Sequence, residues 1–99
     1  MNDTEFRSHA VAYMTKIFDH LESNFPNLDL EDDEESITIE ASQNRQFLIN
    51  VHPISKQIWY SSPISGAHHF APTTSGDWID TRNGKELLSF LNFELKTLG

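Results

Sequence analysis

The feature that most constrains this chain is an unbroken series of short segments in which apolar and polar residues alternate. A period of two is typical of strands that bury one face. The connections between the segments are too short for crossovers, so the strands must pair antiparallel. The alternating segments are residues 28–35, which end in an acidic turn, 36–41, 45–52, 56–61, 67–71 and 77–81.

A helical period flanks this series at both ends. Between residues 3 and 23 one apolar stripe recurs at helical spacing, and five leucines between 87 and 98 repeat in the same way. The stripe consists of Phe6, Ala10, Tyr13, Met14, Ile17 and Leu21. Asn2 or Thr4 can cap the first helix, and Pro26 ends it. Asn83-Gly84 is interpreted as the entry to the second helix. The pattern predicts an α+β fold in which two terminal helices pack on one face of an antiparallel sheet of five to six strands.

Length and composition narrow the class further. A chain of 99 residues predicts one domain, spanning 1–99. It has neither an apolar run long enough for a membrane span nor a signal-peptide pattern, so we expect a cytoplasmic protein. The chain has no cysteine. Disulfides, thiolate metal sites and cysteine nucleophiles are therefore excluded, and any metal must be held by oxygen or imidazole.

Charge is distributed unevenly along the chain. The net charge is −8, and residues 1–40 hold eleven acidic and two basic residues, whereas residues 41–99 hold four acidic and five basic ones. Such a field repels phosphate backbones and anionic membrane surfaces and attracts cations or a basic protein. We therefore expect no nucleic-acid or membrane partner.

The acidic residues predict a cation-binding surface, here called the acidic ridge. Two of them lie three apart on the first helix, and the others join the same edge if the next strand runs back beside that helix. Hard cations relieve the repulsion by coordinating oxygen, but the spacing of an EF-hand is absent. The alternative is a solvated edge that prevents strand pairing between molecules. The ridge comprises Asp19, Glu22, Asp29, Glu31, Asp32, Asp33, Glu34 and Glu35.

Strand parity predicts a second surface around Trp59. If Ile58 and Tyr60 face the core, the indole of Trp59 faces solvent beside Gln57 and Asn50. An exposed tryptophan among polar side chains is typical of an interface anchor. The other tryptophan, Trp78, is assigned to the core.

No catalytic constellation is predicted. The chain has no Gly-x-Ser-x-Gly, glycine-rich phosphate loop or His-Glu-x-x-His, and its paired carboxylates lie on an exposed edge where nothing raises their pKa. His68 and His69 are adjacent, so in a strand they face opposite ways, and no pair of histidines has metal-binding spacing. We expect most histidines at the surface and a protein that is not an enzyme.

One segment carries a family resemblance. Residues 56–66, Lys-Gln-Ile-Trp-Tyr-Ser-Ser-Pro-Ile-Ser-Gly, resemble the tryptophan strand and following loop of frataxins. The start Met-Asn-Asp-Thr-Glu-Phe, the segment 66–70, and Trp78-Ile79 with Arg82-Asn83-Gly84 resemble the bacterial branch of that family, the CyaY-type proteins. The resemblance extends through the chain in order.

The resemblance implies both a fold and a function. It implies two near-parallel helices on an antiparallel sheet, with weakly bound iron (Fe²⁺ or Fe³⁺) on the acidic ridge, to which it adds Asp3. It also implies that a surface of Asn50, Gln57, Trp59 and His69, here called the tryptophan surface, binds the cysteine desulfurase and the scaffold of iron–sulfur cluster assembly. Phe18 and Ser23 stand where family members often have acids, which shifts metal binding toward residues 29–35.

Two functions remain open at this point, and an iron-oxidising enzyme is the least favoured alternative. The first is an iron-binding protein that regulates or assists cluster assembly, monomeric or driven to oligomers by iron. The second is an acidic protein-interaction module whose metal binding is nonspecific. A difference in affinity among iron, calcium and magnesium would separate them.

Overall fold

The computed structural model describes residues 1–98 and shows the α+β fold that the sequence predicts. Six strands form one antiparallel sheet in the chain order β1-β2-β3-β4-β5-β6, and two helices pack against it. Within residues 1–98 we find no helix with the length and hydropathy that a bilayer span requires. The elements are α1 (Asp3–Asn24), β1 (Asp29–Asp33), β2 (Ser36–Ala41), β3 (Arg45–His52), β4 (Gln57–Ser62), β5 (Gly66–Pro72), β6 (Trp78–Asp80) and α2 (Leu87–Thr97).

The core lies between the helices and one face of the sheet. Alternate strand residues point into it, and they meet the apolar stripes of both helices. Trp78 is 2% exposed, as predicted, and its ring contacts Phe6 and Tyr13 with centroids 5.7 and 5.9 Å apart. The sheet contributes Ile37, Ile39, Phe47, Ile49, Val51, Ile58, Tyr60, Phe70 and Trp78 to this core.

The β4–β5 connection is tighter than predicted. The predicted segments 56–61 and 67–71 leave five residues between them, but Ser62 pairs with Gly66, which leaves three residues in the turn. The hydroxyl of Ser62 accepts hydrogen bonds from the backbone N–H groups of Ile64 (3.0 Å) and Ser65 (3.2 Å). These hydrogen bonds satisfy two backbone donors of the turn, so the pairing of β4 with β5 can extend to Ser62 and Gly66.

The helix caps resolve one alternative and correct one prediction. Asn2 caps α1 by accepting the N–H of Glu5 at 2.8 Å. Asn83-Gly84 is not the entry to α2, because Gly84 has φ 74° in a turn and Glu86 then forms a bridge with Ile79. α2 begins only at Leu87, after this bridge ends.

Glu86 links the two helices. Its carboxylate accepts the backbone N–H groups of Leu88 (3.1 Å) and Ser89 (3.0 Å) at the start of α2, and the hydroxyl of Tyr13 on α1 donates to it. Burial opposes ionisation of Glu86, but these hydrogen bonds outweigh it and hold the pKa of Glu86 below its ordinary value of 4.5. Burial and the neighbouring Glu86 raise the pKa of Tyr13, so it remains a donor.

We expect Glu86→Gln to lower the free energy of unfolding by about 1 kcal/mol at neutral pH, because a charged cap is replaced by a neutral one. Since the folded pKa of Glu86 is depressed, its contribution is present above the unfolded pKa and is lost as pH falls through the folded value. The difference between wild type and variant should therefore shrink in acid. Urea unfolding at neutral pH and near pH 3 measures it.

Glu40→Gln is the matched control, because Glu40 is exposed and caps no helix. It should change stability little at either pH. A Glu86→Gln deficit that stays constant as pH falls would contradict the assigned role of the charge.

Candidate functional site: the acidic ridge and the open sheet face

The acidic ridge lies where the sequence predicts it, along α1 and the edge strand β1. β1 pairs only with β2 and runs back beside α1. Glu22 shares a groove with Leu28 and Leu30, and further along the helix Thr15 shares one with Asp32. The residues that the sequence assigns to the ridge therefore follow one flank of the molecule.

The carboxylates of β1 point to both faces of that strand. Asp32 is paired with Ile37, whose side chain is in the core, so Asp32 lies on the helix-covered side. Asp29, Glu31 and Asp33 have the opposite parity and belong to the open face. Part of the ridge is thus continuous with the uncovered side of the sheet.

Two members of the predicted metal set are neutralised by neighbouring cations. Arg7 on α1 forms an ion pair with Glu35, and the ammonium of Lys56 lies 3.2 Å from Asp3 Oδ1. Asp33 Oδ1 accepts the backbone N–H of Glu35 at 2.9 Å, which lowers the pKa of Asp33. The ridge members without an ion pair among residues 1–98 are Asp19, Glu22, Asp29, Glu31, Asp32, Asp33 and Glu34, all exposed.

These carboxylates do not converge on a single point. Within the part of the chain that the structure describes, no group of three or more Asp, Glu or His side chains is close enough to hold a metal ion together. Oxygen donors suit a hard cation, but one or two carboxylates completed by water hold it weakly. The ridge is therefore suited to weak attraction of cations rather than to a rigid chelate.

Trp59 lies on the open face, as parity predicts, but it is half-buried rather than freely exposed. Its indole is stacked between two imidazoles, His52 at 3.8 Å and His69 at 4.3 Å between centroids, both nearly parallel to it. Its Nε1 donates to Gln57 Oε1 at 2.9 Å. With both ring faces covered, a partner would meet an ordered three-ring stack instead of a mobile indole.

The register joins the two surfaces. Asp33 pairs with Ser36, Ser36 with Asn50, Asn50 with Trp59, and Trp59 with His69. All five side chains point to the same face, and four steps between neighbouring strands span about 19 Å. All four predicted members of the tryptophan surface lie together, and a member of the acidic ridge stands in the same row.

His68 and Asp80 form a polar contact beneath the sheet that sequence reasoning missed. Most histidines were expected at the surface and no inward position was assigned to His68, but it is buried because its parity on β5 matches that of Phe70. Its Nε2 lies 2.8 Å from Ser65 Oγ and its Nδ1 lies 3.3 Å from Asp80 Oδ2. The parity of the two adjacent histidines was the only signal available, since the three residues come from a turn and two strands.

Comparison with known proteins agrees with this fold. The sequence matches the family model described as "Frataxin-like domain" over residues 1–99. The iron–sulfur cluster assembly protein CyaY of Psychromonas ingrahamii is 30% identical over 93% of this chain and 86% of its own length, and that of Vibrio cholerae is 31% identical over 95% and 88%.

Solved structures give the same result. A frataxin from Psychromonas ingrahamii superimposes with a TM-score of 0.90 at 28% identity, covering 100% of this chain and 92% of that one. Trimeric frataxin from Saccharomyces cerevisiae, described as complexed with ferrous iron, gives 0.79 at 31% identity, covering 90% and 83%. The molecule is thus a frataxin-like α+β domain. The chain belongs to the frataxin family, and the bacterial relatives that it resembles along nearly its whole length are CyaY proteins.

Proposed function

We propose that this protein acts in iron–sulfur cluster assembly, where it binds iron weakly on the acidic ridge and docks a cysteine desulfurase and its scaffold protein. The observation that carries the proposal is the cross-strand row from Asp33 to His69, which makes the open-face part of the ridge continuous with the tryptophan surface. Relatives named as iron–sulfur cluster assembly proteins, and a related structure described with ferrous iron, support it.

Iron would be cargo on an open surface. The exposed carboxylates without ion pairs supply hard oxygen donors, and no enclosing loop fixes their geometry. Affinity should be roughly micromolar or weaker, since each ion keeps much of its hydration shell. Weakly bound iron would pass easily to a partner protein, which fits a role in delivering or sensing iron.

Docking would combine charge and aromatic contact. A net charge of −8 concentrated on one flank steers a basic surface toward the ridge. The adjacent stack of His52, Trp59 and His69 then offers a rigid apolar area with little conformational entropy to lose. We propose a cytoplasmic protein whose part in cluster assembly is non-enzymatic, and which is monomeric until iron drives it to oligomers, without nucleic-acid or membrane partners.

One observation favours the second candidate, an acidic interaction module with nonspecific metal binding. Among residues 1–98 no three ligands converge, so the ridge has no built-in preference for one divalent ion. In that case the acids of β1 serve to steer a partner and to keep this edge strand from pairing with another molecule.

We expect iron binding to depend on the unpaired carboxylates of β1. The double substitution Glu31→Gln with Asp32→Asn should weaken Fe²⁺ binding several-fold, because it removes one carboxylate donor from each face of β1 together with their field. Anaerobic calorimetric titration with Fe²⁺, Ca²⁺ and Mg²⁺ at matched ionic strength measures the affinities. Glu5→Gln, an exposed acid outside the ridge, is the control. Equal affinities for the three ions would favour the interaction module instead.

We expect Trp59→Ala to weaken binding of the cysteine desulfurase by at least about tenfold, as for an interfacial aromatic anchor. The wild-type dissociation constant should rise with salt, because the ridge contributes charge. Surface plasmon resonance at two salt concentrations measures both effects, and a thermal melt confirms that the variant is folded.

Phe93→Ala provides the matched control. Phe93 is an aromatic residue on α2, away from the open face, and it is 64% exposed. Its removal should leave desulfurase binding unchanged. Weaker binding by Phe93→Ala together with unchanged binding by Trp59→Ala would contradict the prediction and indicate that the desulfurase docks on the helices.

A further inference from the structure

A chain of three side chains runs from the surface of the β4–β5 turn into the protein interior. Ser65 is exposed, and its Oγ lies 2.8 Å from Nε2 of His68. The other ring nitrogen of His68, Nδ1, lies 3.3 Å from Oδ2 of Asp80. His68 is 8% exposed and Asp80 3%, so the polar contact between them is shielded from water.

The surroundings fix the orientation of the imidazole. Asp80 Oδ1 accepts the backbone N–H of Arg82 at 2.7 Å, which leaves Oδ2 directed at His68. The ring of Phe90 on α2 meets the His68 ring edge-on, with centroids 4.9 Å apart. A carboxylate on Nδ1 favours the tautomer with a proton there, which leaves Nε2 as an acceptor for the Ser65 hydroxyl.

This order of hydroxyl, imidazole and buried carboxylate is the arrangement that activates a serine for acyl transfer, and it is recognised by geometry and roles rather than by sequence spacing. We propose that Ser65 is a nucleophile activated by His68 and Asp80, and that it accepts the acyl group of small, uncharged, activated esters. The proposal concerns the covered side of the sheet and is independent of the role in cluster assembly.

The reaction is an acyl transfer without redox change. Ser65 Oγ attacks the ester carbonyl carbon, its proton passes to His68 Nε2, and the tetrahedral intermediate expels the alcohol or phenol oxygen. That leaving oxygen takes the proton from His68, the ester C–O bond is broken, and a new ester joins the acyl group to Ser65. Asp80 stabilises the imidazolium in between without taking its proton.

The surroundings of Ser65 explain which esters it would accept and how fast it would be acylated. Ser65 is exposed, and around the adjacent Gly66 no atom outside its immediate chain neighbours lies within 4 Å of the position that a Cβ would take, so an ester can approach this turn. Phe90 also lines an apolar groove with Phe93, and the net charge of −8 repels anionic acyl groups. The backbone N–H groups of Ile64 and Ser65 in this turn already donate to Ser62 Oγ and are not free to stabilise the transition state, so the acyl adduct should form slowly and persist.

The test is to incubate the full chain with p-nitrophenyl acetate, follow p-nitrophenol release, and map acetylated residues by peptide mass spectrometry. We expect Ser65 to be acetylated faster than Ser61, an exposed serine near the end of β4. Ser65→Ala should abolish the adduct at this position, whereas Ser61→Ala should leave it unchanged. Asp80→Asn should slow Ser65 acetylation by at least about tenfold, since it removes the carboxylate that orients the base.

Acetylation of Ser65 no faster than that of Ser61 in the wild-type protein would overturn the proposal. So would an unchanged rate in Asp80→Asn that melts like wild type. Because Asp80 is buried, this substitution can also unfold the chain, and the comparison of the two serines in the wild-type protein then decides alone.

Discussion

The structure depends on the fact that its two helices cover one face of the six-stranded sheet and leave the other face open. The apolar stripes of α1 and α2 require the sheet residues of one parity for burial. The other parity is thereby committed to solvent, whatever its chemistry. Trp59, Asn50 and His69 are on the open side because Ile58, Tyr60 and Phe70 are needed in the core.

The acidic edge follows from the same constraint. β1 is the terminal strand, and its outer backbone groups have no partner strand. Charged side chains there keep the edge from pairing with a second molecule, a role that does not depend on a bound cation. Arg7 and Lys56 neutralise the ridge where it meets the start of α1, which concentrates the free negative charge on the rest of β1 and the end of α1.

Patterns local in sequence were predictable, and contacts across strands were not. The alternation around Ile58 and Tyr60 placed Trp59 on the open side, and helical spacing identified the buried face of α1. The stacking of His52 on Trp59 depends on the register of two strands, which no short segment encodes. The contact of His68 with Asp80 likewise depends on the pairing of two strands. The start of α2 at Leu87, capped by Glu86, depends on tertiary packing that overrides the local signal at Asn83-Gly84.

The central claim is that the continuous open face from the acidic ridge to His69 is the surface used by the partner. Chemical-shift mapping on the ¹⁵N-labelled protein during titration with the cysteine desulfurase tests it most directly. The account predicts that perturbed amides cluster on β1 and on the open-face residues of β3, β4 and β5. Perturbations confined to the exposed sides of α1 and α2 would contradict it.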